Sequence, residues 1–260
     1  MSALALLSVP AQVPSAEGLT LLVQPILGEA PAQKEFQPLC DYLGAVAGRP
    51  CRILTPTTFI AYWNILRRGE YELALDAGHF TDYRIRKMGF SVLAKVSDSM
   101  SYTLIVPDTR RITDPAELIG QRVATLGPLS IGAARFDALY PNPVRQPVIV
   151  EVASVEDGIA LLRQQKAAAA LLPTPLVGRP LAQGGIAVVL TTEPAAHMAL
   201  SASPRLATEL RDKIRDAVLD AERRDAGKKM LQRVGIERFE PTSAGEYLNQ
   251  GNVLKSYWGY

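Results

Sequence analysis

Short apolar stretches alternate with amphipathic helical stretches along almost the whole chain, and this alternation constrains the fold more than any other feature. Strand-like segments fall at 19–24, 51–55, 72–76, 90–96, 101–106, 122–126, 147–152, 168–172, 186–191 and 196–202. Helical periodicity fills the gaps at 32–47, 57–68, 79–87, 128–139 and 154–166, and returns at 204–222 and 225–234. Such a pattern predicts an α/β protein, because a strand buried on both faces needs helices above and below it. Ser203-Pro204 reads as the cap and first residue of the helix at 204–222.

Two stretches, "FIAYWNILRRGEYELALDAG" and "VEDGIALLRQQKAAAALLPT", share one plan of helix, tight polar turn and buried strand. That weak repeat suggests two lobes. "PDTRRITDP" at 107–115 reads as the exit from the first lobe, and "TTEPAA" at 191–196 as the return. The expected division is lobe 1 at 19–103 plus 197–260 and lobe 2 at 104–196, joined by a two-strand hinge. A ligand would favour the crevice between the lobes, beyond the C-terminal ends of the strands.

Composition narrows the function. A net charge of +2 and the lack of a dense basic stripe interleaved with aromatics argue against a nucleic-acid binder. The short clusters Arg67-Arg68, Arg84-Ile85-Arg86-Lys87 and Arg110-Arg111 read as solvated surface. No apolar run reaches the ~18 residues of a membrane span. Residues 1–18 combine a short apolar stretch with Val9-Pro10-Ala11, and read as either a tail or the remnant of an export signal. Two histidines, His79 and His197, are too few for a multi-histidine metal site, and no cofactor motif is present. Cys40 and Cys51 would form a disulfide in an exported protein and remain two buried thiols in a cytosolic one.

The stretch "TLGPLSIGAARFDALY" at 125–140 has the backbone plan of an anion cradle, a strand end and Gly-Pro turn leading into a helix at Ser130-Ile131-Gly132. Ser130 either donates to an oxyanion together with the N–H groups of Gly132 and Ala133 or simply caps the helix. Thr57 and Thr58 sit at a second strand-to-helix turn, with ligand contact and capping both open. Asp76, Gly78 and His79 follow a buried strand at the position where α/β ligand contacts gather. Tyr62 and Trp63 follow Phe59 at helical spacing and read as core, His197 as structural, Glu193 as lining the cleft from the hinge, and Arg135 as facing solvent.

A family resemblance emerges from several motifs in order. "EFQPLCDYLGAVAGRPCRILTP", "ILRRGEYELALDAG", "SYTLIVPDTRRITDPAELIGQRVATLG" and "AVLDAERRDAGKKMLQRVGIERFEPTSAGEYLNQ" together resemble the phosphonate-type solute-binding proteins of ABC importers, over roughly residues 19 to 250. The resemblance implies a type 2 periplasmic-binding-protein fold and a periplasmic monomer. It also implies a small-molecule ligand, an ABC permease or sensor kinase as partner, and no enzymatic chemistry. Family members carry a Ser-Thr-Ser-Gly run where this chain has Leu129-Ser130-Ile131-Gly132, and a Ser-His pair where it has Ser154-Val155. Their cleft Asp is matched by Pro173, and Tyr102 falls where they place an aromatic facing the ligand.

With Leu129, Ile131 and Val155 in place of hydrogen-bonding groups, a buried phosphonate dianion would lose its hydration without replacement. A ligand with a small anionic head and an apolar body fits better. The alternatives are an accessory protein whose cleft is packed shut by those three side chains, and an enzyme using Asp76, His79 and Glu193.

Overall fold

The computed structural model describes residues 18–260, so the reading of the N-terminal segment lies outside the described residues up to position 17. Along the chain run β1 (Leu19–Val23), α1 (Glu29–Ala47), β2 (Cys51–Leu54), α2 (Phe59–Arg68), β3 (Leu73–Asp76), α3 (Gly78–Met88) and β4 (Ser91–Val96). Next come β5 (Ser99–Met100), β6 (Tyr102–Pro107), β7 (Arg122–Thr125), α4 (Ile131–Leu139), β8 (Val148–Glu151), α5 (Val155–Arg163), β9 (Ala169–Pro173), α6 (Thr174–Ala182) and β10 (Ile186–Thr191). The chain ends with β11 (Ala195–Ala196), β12 (Ala199–Ala202), α7 (Thr208–Leu219), α8 (Asp225–Val234), β13 (Phe239–Glu240) and short 3-10 turns.

The strands form two large sheets, each the centre of one lobe. The first has the order β13-β4-β12-β3-β1-β2 and the second β10-β6-β9-β7-β8. Period-two alternation divides the side chains of β1 and β3. Leu19, Leu21, Leu73 and Leu75 face a cluster completed by α1, α7 and α8, while Leu22 and Ala74 face α2 and α3. In the second sheet Leu104, Val123 and Leu171 pack with Phe136 and Tyr140 near α4. Ile105, Ala124 and Leu172 face Ile159, Leu162 and Val177 of α5 and α6.

The lobes are joined at a third, two-stranded sheet in which β5 pairs antiparallel with β11, Met100 opposite Ala195 and Ser99 opposite Ala196. This is the expected two-strand hinge, but the outward crossing lies before β6 rather than at 107–115. Pro107 ends a strand already hydrogen-bonded within the second sheet, where it pairs with Ile186. Tyr102 and Thr103, assigned to the first lobe from sequence, therefore belong to the second sheet. Hydroxyls bind the crossing together: the Tyr102 amide donates to Thr192 Oγ1 at 3.0 Å, and the Ser101 hydroxyl donates to Thr174 Oγ1 at 2.8 Å.

Two local readings differ from the sequence. The helix expected at 204–222 starts at Thr208, because the Ser203 hydroxyl accepts from Arg205 N in a turn ahead of it. The helix α6 was not anticipated, since its "TPLVGRPLA" carries two prolines. Cys40 of α1 and Cys51 of β2 form a disulfide, with their Cα atoms 5.4 Å apart.

Candidate functional site

The strands β1, β2 and β3 of the first sheet and β7, β8 and β9 of the second end towards one another, and the predicted site residues lie on the loops and helix starts beyond them. They separate into three groups: residues consumed inside the first lobe, residues closing the middle of the cleft, and residues at an open pocket on its rim.

Asp76 belongs to the first group. Its carboxylate is fully buried and receives both terminal nitrogens of Arg84, the Tyr62 hydroxyl and, at 3.3 Å, the Thr81 hydroxyl. Arg84 also donates to Ser201 Oγ at 3.2 Å. Four donors satisfy an ionised carboxylate, so Asp76 keeps no lone pair for a ligand and its expected binding role is corrected. The group is a buried, neutralised network that fixes the start of α3 on β3. Gly78 is covered as well, since a Cβ there would lie 2.1 Å from Gln250 Oε1, a group of the C-terminal segment. That segment is anchored by Gly251 N donating to Asp82 Oδ2 at 2.7 Å and by Trp63 Nε1 donating to the Trp258 carbonyl at 2.7 Å. Tyr62 and Trp63 are core residues, as their spacing indicated.

His79 and the 125–133 loop close the middle of the cleft. His79 is fully buried, and its Nε2 lies 2.8 Å from the Leu129 carbonyl of the other lobe. A carbonyl only accepts, so the proton is on Nε2, and Nδ1 is a buried acceptor with no partner. Burial pushes the imidazole pKa down to about 4, against the opposing pull of the Leu129 carbonyl and of Asp76, so the ring is neutral at pH 7. Leu129 holds a left-handed φ of 70° and is buried. With Leu126, Val152 and Val155 it joins Leu22, Phe59, Tyr62 and Phe80 in one apolar cluster that crosses between the lobes. Ile131 instead packs against the cluster inside the second lobe.

The donors of the anticipated anion cradle are largely used by the protein itself. Ser130 caps α4, accepting from Ala133 N at 3.1 Å and donating to the Gly127 carbonyl at 2.7 Å. Tyr102 stacks its ring edge on Gly132, where a Cβ would come within 3.2 Å of it. Burial raises the Tyr102 pKa well above its ordinary value, while the Arg135 charge and a hydrogen bond from the Gly132 amide pull it back. Ser154 caps α5, accepting from Asp157 N at 3.1 Å and donating to Asp157 Oδ2 at 2.8 Å. The hydroxyls of Ser130 and Ser154 are therefore engaged in capping.

The rim pocket, of about 460 Å³, is built from both lobes. Pro25, Thr57, Thr58, Phe59 and Ile60 line it from the first, and Leu126, Glu151, Val152 and Ala153 from the second. Thr58 caps α2 through Ala61 N at 3.1 Å, whereas Thr57 is an exposed residue of the pocket lining. Glu151 is the one ionisable residue in this lining, and sequence reading missed it. It lies over Gly127, where a Cβ would come within 2.5 Å of its carboxylate; with a φ of +83° as well, only glycine suits that turn. Glu193, read from sequence as lining the cleft, is an exposed residue of the hinge return and is not part of this lining.

The two-lobed α/β architecture, crossed twice and closing over a cleft, is that of a bilobal binding protein. The family described as "ABC transporter, phosphonate, periplasmic substrate-binding protein" matches residues 22–247, and the chain belongs to that family. Its fold resembles that of PhnD1 from Prochlorococcus marinus, solved in complex with methylphosphonate, with a TM-score of 0.76 at 14% identity over 91% of this chain and 96% of that one. A binding-protein component of an ABC phosphonate transporter from Pseudomonas aeruginosa gives a TM-score of 0.74 at 13% identity over 91% and 86%. The GluR0 ligand-binding core from Nostoc punctiforme, in complex with L-glutamate, gives 0.61 at 13% over 83% and 98%. No curated relative matches the chain by sequence. The chain is thus a member of a family of periplasmic solute-binding proteins that serve ABC permeases.

Proposed function

We propose that this chain captures a small ligand with one polar head and an apolar body in the rim pocket, and delivers it by lobe closure to an ABC permease. The observation that carries this reading is the pocket itself: both lobes wall it, so occupancy couples to their relative position. Phe59, Ile60, Leu126 and Val152 receive the apolar body, while the Thr57 hydroxyl and the first amides of α2 meet the head. A head with a single negative charge is tolerated there. A phosphonate dianion is disfavoured, because Glu151 is a like charge across the pocket and the donors at Ser130 and Gly132 serve the protein's own groups.

The Cys40–Cys51 disulfide supports folding in an oxidising compartment, in keeping with a periplasmic location. On this reading the protein works as a monomer and performs no chemistry; the second point is supported by Asp76 being locked in its ion pair and His79 sealed from solvent. A sensor kinase would read the same closure as readily as a permease. The second reading, a ligand-free accessory protein, draws on the apolar cluster that already joins the lobes around Leu129 and Val155. A thermal-shift screen of phosphate, alkylphosphonates, and carboxylates and sulfonates with apolar bodies separates the two. A ligand present at 100 times its dissociation constant adds about 2.7 kcal/mol. Stabilisation by the apolar-bodied acids alone supports capture in the rim pocket. Stabilisation by methylphosphonate would overturn the ligand class, and a blank screen would leave the accessory reading standing.

A further inference from the structure

On the pole of the second lobe away from the cleft, three chain segments converge on a concavity of about 350 Å³. Thr109 and Arg110 follow the end of β6, Gln121 precedes β7 and Arg122 begins it, and Gln165 to Ala168 precede β9. The sheet makes them neighbours. β6 runs antiparallel to β9 and β9 parallel to β7, and Ala168 N donates to the Arg122 carbonyl at 2.7 Å. Arg110 was read from sequence as solvated surface, and nothing in the linear order brings it to Arg122 or Lys166.

Three basic side chains meet in this concavity with no carboxylate in its lining. Arg84, Arg86, Arg215, Arg224 and Arg238 all pair with carboxylates. The side chains of Arg110, Arg122 and Lys166 have no ion pair or hydrogen bond among the described residues, and no acid lines the concavity with them. The adjacent Asp108 directs its carboxylate to Gly185 N at 3.1 Å. Three like charges held at the ends of three interior strands of the second sheet repel one another, and their field is focused by the concave wall. Thr109, Gln121 and Gln165 add neutral donors around them.

We propose that this concavity binds a multiply charged phosphate group. Two guanidinium groups supply paired donors that match phosphate oxygens, and Lys166 supplies a point charge. A phosphorylated small molecule and an anionic lipid headgroup present the same chemistry. The site lies at the opposite ends of the second-lobe strands from the rim pocket, so it stands whether or not the cleft captures a ligand.

The test is calorimetric titration of the full chain with pyrophosphate at low ionic strength. A parallel arm uses sedimentation with vesicles of equal parts phosphatidylcholine and phosphatidylglycerol. Saturable pyrophosphate binding that weakens about tenfold or more in Arg122→Glu and in Lys166→Ala supports the site. Vesicle binding lost in the same variants, with no pyrophosphate binding, supports it with the lipid as source. Both variants are checked for an unchanged melting temperature, so that loss of binding is not loss of fold. Binding in neither arm, or binding indifferent to both substitutions, overturns the proposal.

Discussion

At the scale of single residues, His79 sets the clearest expectation. The unfolded imidazole takes up a proton below about pH 6.5, whereas the folded one refuses it until about pH 4. Between those values the unfolded chain binds more protons, so stability is complete above the window and is lost as pH falls through it. The loss at pH 5 is about 2 kcal/mol, read as a drop in the denaturant midpoint between pH 7 and pH 5 that shrinks in His79→Ala. Glu151 makes a second case. Removing its charge in Glu151→Gln should tighten the binding of carboxylate-headed ligands about fivefold, some 1 kcal/mol, by titration calorimetry. The sequence located His79 at the cleft but not its role, because whether a polar side chain meets a ligand or a backbone carbonyl depends on the facing lobe. Asp76 shows the same limit: its partner Arg84 is two helical turns away on α3, and the turn of the helix that joins them is invisible to a reading that stops at the strand end.

At the scale of elements, strands and most helices were legible because period-two and 3.6-residue patterns are local. The breaks came where chemistry overrides pattern. The prolines of α6 masked a helix, and the Ser203 hydroxyl was spent on a turn instead of a cap. The turn between β7 and α4 offers a test. Gly127→Ala must place a Cβ against the Glu151 side chain at a left-handed φ, and should cost about 1–2 kcal/mol in denaturant unfolding, with the pocket rim displaced. The joint between α1 and β2 offers another. Replacing both cysteines in Cys40→Ala/Cys51→Ala releases a loop with a separation of 11 residues and should cost about 3 kcal/mol, seen as a lowered melting temperature that reducing agent does not lower further.

At the scale of the whole molecule, the question is how firmly the lobes are held together. The shared apolar cluster and the His79–Leu129 hydrogen bond both act between lobes, while β5 and β11 pair where the chain crosses from one to the other. Leu129→Asp would bury a charge in that cluster, so the lobes should part, and small-angle scattering should record a larger radius of gyration than for the parent chain. An unchanged radius would show that the hinge, not the cluster, fixes the spacing. The two-lobed plan was readable from the repeated helix–turn–strand unit. The crossing point was not, since β5 is two residues long and carries no periodicity.

The paired crossing has a further consequence. Because Met100 faces Ala195 across β5 and β11, the second lobe leaves and re-enters the first at one doorway. It is therefore an insertion with neighbouring ends, the arrangement in which domains are most readily excised, swapped or circularly permuted. A short turn joining Ser99 to Ala196 would close the first lobe on itself, and the freed segment could be transplanted whole onto a related scaffold.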